Sequence, residues 1–174
     1  MGKGTGLLSP ELPVQSRVPA EESGLKINAA KAIEMLNRQV EKKGADYVYP
    51  RRLWSEVANR ETRADLSPDQ TVCVNWILVN GKAEPDCILG HVYADWGILG
   101  QCGMTSNVHM VLRTLSRAGI LLTQRAISTF HTAQQKQDNG WTWGAAVESA
   151  TWHAEHCTAD NDTEYLTWTH TEAF

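Results

Sequence analysis

Two residues one helical turn apart, Cys87 and His91, are the first candidates for chemistry in this chain. Cys87 falls in the first turn of an expected helix, where unpaired backbone amides and the helix dipole favour a thiolate, and His91 follows four residues later on the same face as a base. Such a pair would serve a thiol-dependent enzyme or a redox protein. No third residue marks itself by spacing as the group that would orient the imidazole. The competing reading is structural: unbonded cysteine is among the most often buried residue types, and a histidine at a helix edge is ordinary.

A second cluster, His153, His156 and Cys157, has the i, i+3, i+4 spacing that can turn three side chains toward one metal ion. Further ligands would come from His131, His170 or Cys102, and no spacing links these to the cluster, so the expectation is no metal and no cofactor. Arg51, Arg52, Arg60 and Arg63 around Trp54 could meet phosphates and stack on a base, but Glu56, Glu61 and Asp65 interleave with them and read as a solvated loop. The chain has seven tryptophans. Trp54, Trp168 and Trp141 fall outside the clearest helices. Trp54 and Trp168, with Tyr165, Arg51 and Arg52, are the expected partner-binding residues, because Trp, Tyr and Arg dominate interface energies.

The elements that must position these groups centre on the stretch from Thr71 to Gly97. Val72 to Val79 is rich in β-branched and aromatic residues and reads as a strand. Asn80-Gly81 and Pro85 end it, Asp86 stands as an N-cap, and Ile88, Val92 and Trp96 form one helical stripe closed by Gly97. Before it, Asn28 caps a helix with Ala29, Ile33, Leu36 and Val40 on one side and Gly44 as its stop, and Tyr47-Val48-Tyr49 is a short extended segment. Behind it, Ser106 or Asn107 caps a helix that ends at Gly119. Thr123 caps another with Ala126, Ile127, Phe130, Ala133, Gln134 and Gln137 inward and Gly140 as stop, and Thr142 caps a third. The pattern predicts an α+β fold: a mainly helical single domain with four to five helices and short strands near 46–49 and 71–79. Its expected core is Ile33, Leu36, Val40, Val48, Val74, Ile88, Val92, Leu112, Leu115, Ile127, Phe130 and Val147.

The flanks differ in composition. Residues 1–25, with Pro10, Pro13, Pro19 and no sustained apolar period, read as a flexible arm, and 26–157 as the domain, with a loop insertion at 51–70. Residues 158–174 are an acidic tail, in which Tyr165 to Thr171 has enough β-formers to add a strand. The 174 residues carry a net charge of −4, which gives no global attraction to nucleic acid or anionic lipid. No apolar run approaches a membrane span, and the start lacks the pattern of a secretion signal, so a soluble protein of the cytoplasm is expected. Four scattered cysteines without a C-x-x-C pair are read as free thiols.

Three segments, KGADYVYP from Lys43, PDCILGHV from Pro85 and AQQKQDNGWTWGAA from Ala133, resemble small uncharacterised proteins encoded by phages of actinobacteria. The resemblance implies phage origin, an α+β fold and a place in the host bacterial cytoplasm, and transfers no catalytic residue. Since no complete catalytic or phosphate-cradling set is assembled, the leading expectation is a non-enzymatic phage accessory protein that binds a host or phage protein. The alternatives are a thiol-dependent enzyme or redox protein using Cys87 and His91, and a nucleic-acid-binding protein using the Arg51 to Arg63 segment.

Overall fold

A computed structural model describes residues 24–57, 71–157 and 160–166. Strand β1 (Leu25–Ile27) leads through Asn28, whose side chain accepts from the Lys31 amide, into α1 (Ala29–Lys43). Next come β2 (Arg52–Leu53) and a single turn, α2 (Trp54–Val57). Beyond residue 70, β3 (Thr71–Val72), β4 (Trp76–Val79) and β5 (Lys82–Pro85) precede α3 (Ile88–Asp95). A short 3-10 turn then leads to α4 (Val108–Arg117), β6 (Ile120–Thr123), α5 (Gln124–Asp138), α6 (Trp143–His156) and β7 (Tyr165–Leu166). The fold is α+β with helix dominating. Among the described residues no helix is long and apolar enough to cross a membrane.

Helices α5 and α6 pack on each other, α1 packs on both, and α3 packs on α1 and α5. Their inward faces, with Leu36, Ile88, Val92, Leu115, Ile127, Phe130, Trp143 and Val147, form one core. A three-stranded sheet closes one side, with β1 parallel to β6 and β7 antiparallel to β6. The loop before β7 fastens it. Asp162 Oδ1 accepts from the Ala29 amide at 2.9 Å and from Thr123 Oγ1 at 2.7 Å, and Arg125 donates twice to the Asp160 carbonyl.

Several expectations change in detail. The run from Val72 to Val79 is two strands, not one, because the backbone leaves the ladder at 73–75: Val74 N–H donates to Tyr49 Oη and Asn75 N–H to the Met104 carbonyl. Asn80 (φ 52°) and Gly81 (φ 79°) turn the chain back into a hairpin, with Pro85 at its last rung opposite Trp76. Ile120–Thr123, where only a helix cap at Thr123 is expected, is the central strand of the larger sheet. Leu25 belongs to β1 and Tyr165–Leu166 to β7, so both flanks contribute to the domain. Val48 is 50 % exposed and makes an isolated bridge to Thr142, while its neighbour Tyr49 turns inward. Ile33, Val40 and Leu112 are half-buried, and the other expected core residues are buried.

Candidate functional site

The N-terminus of α3 is set against the break at 73–75. Its N-cap is Cys87, not Asp86: the Cys87 thiol accepts from the Gly90 amide and donates to Asn75 Oδ1, both at 3.3 Å, and is completely buried. Asn75 is held in turn by its Nδ2, which donates to the carbonyls of Gly103 and Ser106. Gly90 is required here because a Cβ at this position would lie 1.7 Å from the Asn75 carbonyl oxygen. The Ile88 amide, free at the helix start, donates to Gln137 Oε1 at 2.7 Å, and Gln137 Nε2 donates to Cys73 Sγ and Asp138 Oδ1.

Asp86 has a different role from the expected cap. Its Oδ1 accepts from Arg52 Nη2 at 2.8 Å, and its Oδ2 accepts from Arg52 Nε and from the Tyr49 hydroxyl. Burial drives the Tyr49 phenol far above its ordinary range, and the hydrogen bond to Asp86 raises Arg52 further. This is an ion pair joined to a hydrogen-bonded phenol, with Tyr49 linking β5's end to the Val74 amide.

Beside this seam opens a cleft of about 340 Å³, lined by Cys73, Asn107, His131, Gln134, Asp138 and Asn139, among others. Cys73 is half-buried in its wall. Hydrogen-bonding contact with Cys87, then burial, then the nearby Asp138 push the Cys73 thiol far up, so it is protonated at neutral pH. Burial also raises Asp138, against the hydrogen bonds it receives from Cys73 and Gln137. The His131 ring meets His109 edge-on at 5.1 Å, and burial followed by the charge of His131 lowers His109. The sequence reading missed Cys73, Asn75, Tyr49 and Asp138 as a group. Its one usable signal was Gln137, an amide on the inward face of a helix, where a buried polar side chain must find partners.

The structure separates the expected pairs. Cys87 is bonded to Asn75 and Gly90, whereas His91 lies edge-on to Trp143 at 5.5 Å with its Nε2 buried and without a hydrogen-bond partner among the described residues. Burial, then Lys43 and Lys42, lower the His91 pKa to about 4. Of the three residues spaced for a metal, Cys157 Sγ and His153 Nδ1 are 3.2 Å apart, but His156 stacks on Trp152 and donates to the Trp152 carbonyl. Among the described residues no group of three His, Cys, Asp or Glu side chains converges. Arg51 donates to the Asp138 carbonyl and Arg52 to Asp86, so both guanidiniums have partners inside the fold. Trp54 opens α2, and Tyr165 lies in β7 under the Lys26 ammonium. Arg60, Arg63, Trp168 and His170 lie outside the described residues.

The outer face of α5 and α6 is built differently. Trp152 is 60 % exposed and borders two grooves, one of about 440 Å³ with His131, Lys136 and His153, the other of about 390 Å³ with Asn37, Val147 and Glu155. Trp141, 43 % exposed, lies under the Lys136 ammonium at 4.3 Å. No family model, curated protein or solved structure matches this chain.

Proposed function

We propose that the protein is a non-enzymatic accessory protein of phage type that binds a host or phage protein in the host cytoplasm through the outer face of α5 and α6. The observation that carries this reading is Trp152, a large aromatic left mostly in solvent between two grooves. Isolated exposed apolar residues are common, but an exposed indole flanked by concave surface, with a second exposed indole on the same helical hairpin, is the arrangement that anchors protein partners. The groups that would serve catalysis or phosphate binding support the same reading by their engagement elsewhere. Cys87 is buried as a cap, and Arg51 and Arg52 are bonded within the fold.

The test is affinity capture from a host lysate with the full chain, compared with Trp152→Ala and Trp141→Ala. Loss of one specific prey with Trp152→Ala, at an unchanged melting temperature, is the expected result. Capture at full strength by the double variant would overturn the assignment of this face. Salt-sensitive binding of labelled DNA or RNA that Arg51→Ala with Arg52→Ala abolishes would replace it with the nucleic-acid reading.

A further inference from the structure

Cys73 and Cys87 come from opposite sides of the β4–β5 hairpin and meet at the N-terminus of α3. They lie close enough for Cys87 to be the largest influence on the Cys73 thiol, which it pushes up. The surrounding bonds hold the two together: Cys87 Sγ donates to Asn75, two residues from Cys73, while Gln137 spans Cys73 Sγ and the amide of Ile88, the neighbour of Cys87. The hairpin register places them at the same end: beyond the Trp76–Pro85 rung the Asp86 amide donates to the Asn75 carbonyl at 3.0 Å, with Cys87 the next residue outward on one side and Cys73 the next but one on the other, and both thiols are free. Access is unequal. Cys73 lines the cleft, whereas Cys87 has no exposed surface, so a reagent in solution reaches one sulfur only.

We propose that Cys73 and Cys87 form a redox-active dithiol that a small disulfide, entering by the cleft, oxidises to an intramolecular disulfide. Cys73 loses its proton to solvent and attacks one sulfur of the incoming disulfide. A Cys73 mixed disulfide forms as the reagent's S–S bond breaks, and the first thiol leaves and takes up a proton. Cys87 then gives up its proton and attacks the Cys73 sulfur, forming the Cys73–Cys87 bond and expelling the second thiol. Two protein thiols and one small disulfide become one protein disulfide and two small thiols, with two electrons passing to the reagent. The new bond removes Cys73 Sγ from Gln137 Nε2 and changes the wall of the cleft. Because the Cys73 thiol holds its proton at neutral pH, the reaction is slow there and accelerates roughly tenfold per pH unit as thiolate appears.

The experiment treats the full chain with oxidised glutathione at pH 7 and 9 and maps disulfides by peptide mass spectrometry without reduction. The expected product is a Cys73–Cys87 cross-link, formed much faster at pH 9, without lasting glutathione on either residue. In Cys87→Ser, where serine is itself a good N-cap, glutathione should remain trapped on Cys73. A stable glutathione adduct on Cys73 in the wild type, modification confined to Cys102 or Cys157, or no reaction at pH 9 would each overturn the proposal. Should Cys87→Ser fail to fold, the wild-type map decides alone.

Discussion

Two regions of this molecule use comparable side chains to opposite ends. At the seam where α3 meets the 73–75 break, sulfur, amide, phenol and carboxylate are buried, and their hydrogen bonds run into one another from Arg52 through Asp86 and Tyr49 to the Val74 amide. On the outer face of α5 and α6, Trp152 and Trp141 stand in solvent with one stacked histidine and one ammonium for company. Polar groups are costly to bury unless each is paired, so the seam has few alternative arrangements and holds the fold to one of them. Exposed indoles impose no such constraint on the fold and leave their area free for a partner.

The contrast is broken most severely at Gly90. Gly90→Ala places a methyl 1.7 Å from a backbone oxygen that cannot rotate away, and should lower stability by about 3 kcal/mol or more in a urea titration. Gly144→Ala, whose Cβ would come only to 3.0 Å from Ala45, is the milder comparison. Asp86→Ala comes next. It leaves the Arg52 guanidinium unpaired and the Tyr49 hydroxyl without its acceptor, for an expected loss of about 2 kcal/mol, moderated because Arg52 is partly exposed.

A smaller effect follows from His91. Its folded pKa of about 4 lies below the ordinary 6.5, so between these values the unfolded chain binds a proton that the folded chain does not. Stability should therefore fall as pH drops from 6.5 toward 4, by about 1–2 kcal/mol once partial solvent access is allowed for. Asp95, which the Gln39 hydrogen bond and Lys42 hold below the usual carboxylate range against its own burial, adds a loss in the same direction. His91→Gln should flatten the histidine part of the slope and leave the aspartate part. The least effect on stability is expected on the outer face: Trp152→Ala should shift the unfolding midpoint by less than about 0.5 kcal/mol, and a larger shift would mean that the indole belongs to the fold.

What could be read from the sequence was local. Asn28, Thr123 and Thr142 cap the helices they were expected to cap, and Gly44, Gly119 and Gly140 adopt the positive φ that ends each preceding element. These features depend on a few consecutive residues. The seam depends on long-range pairing: the Asp86 partners, Tyr49 and Arg52, are 37 and 34 residues away, and the Cys73 partner Gln137 is 64 away. Spacing along the chain contains no information on which of four cysteines meet, and residue type alone put the cap at Asp86, one residue before the Cys87 that fills it. Ile120–Thr123 was missed for a related reason. A four-residue apolar run becomes a strand only when β1, from the far end of the chain, lies beside it.

The clamp made by Asp162 bears on the order in which the molecule is assembled. Its carboxylate reaches the Ala29 amide across 133 positions of sequence, a connection that can form only after most of the domain has been translated. A growing chain can build α1 early under its Asn28 cap, but the Ala29 amide waits for Asp162 and β6 waits for β7 on its second edge. Such distant closure is slow compared with the making of each helix, because the entropy of a long loop is lost before its contacts are gained. A chain cut short after α6 would therefore present a nearly complete helical body with an open strand edge on β6, the form most exposed to pairing with another chain.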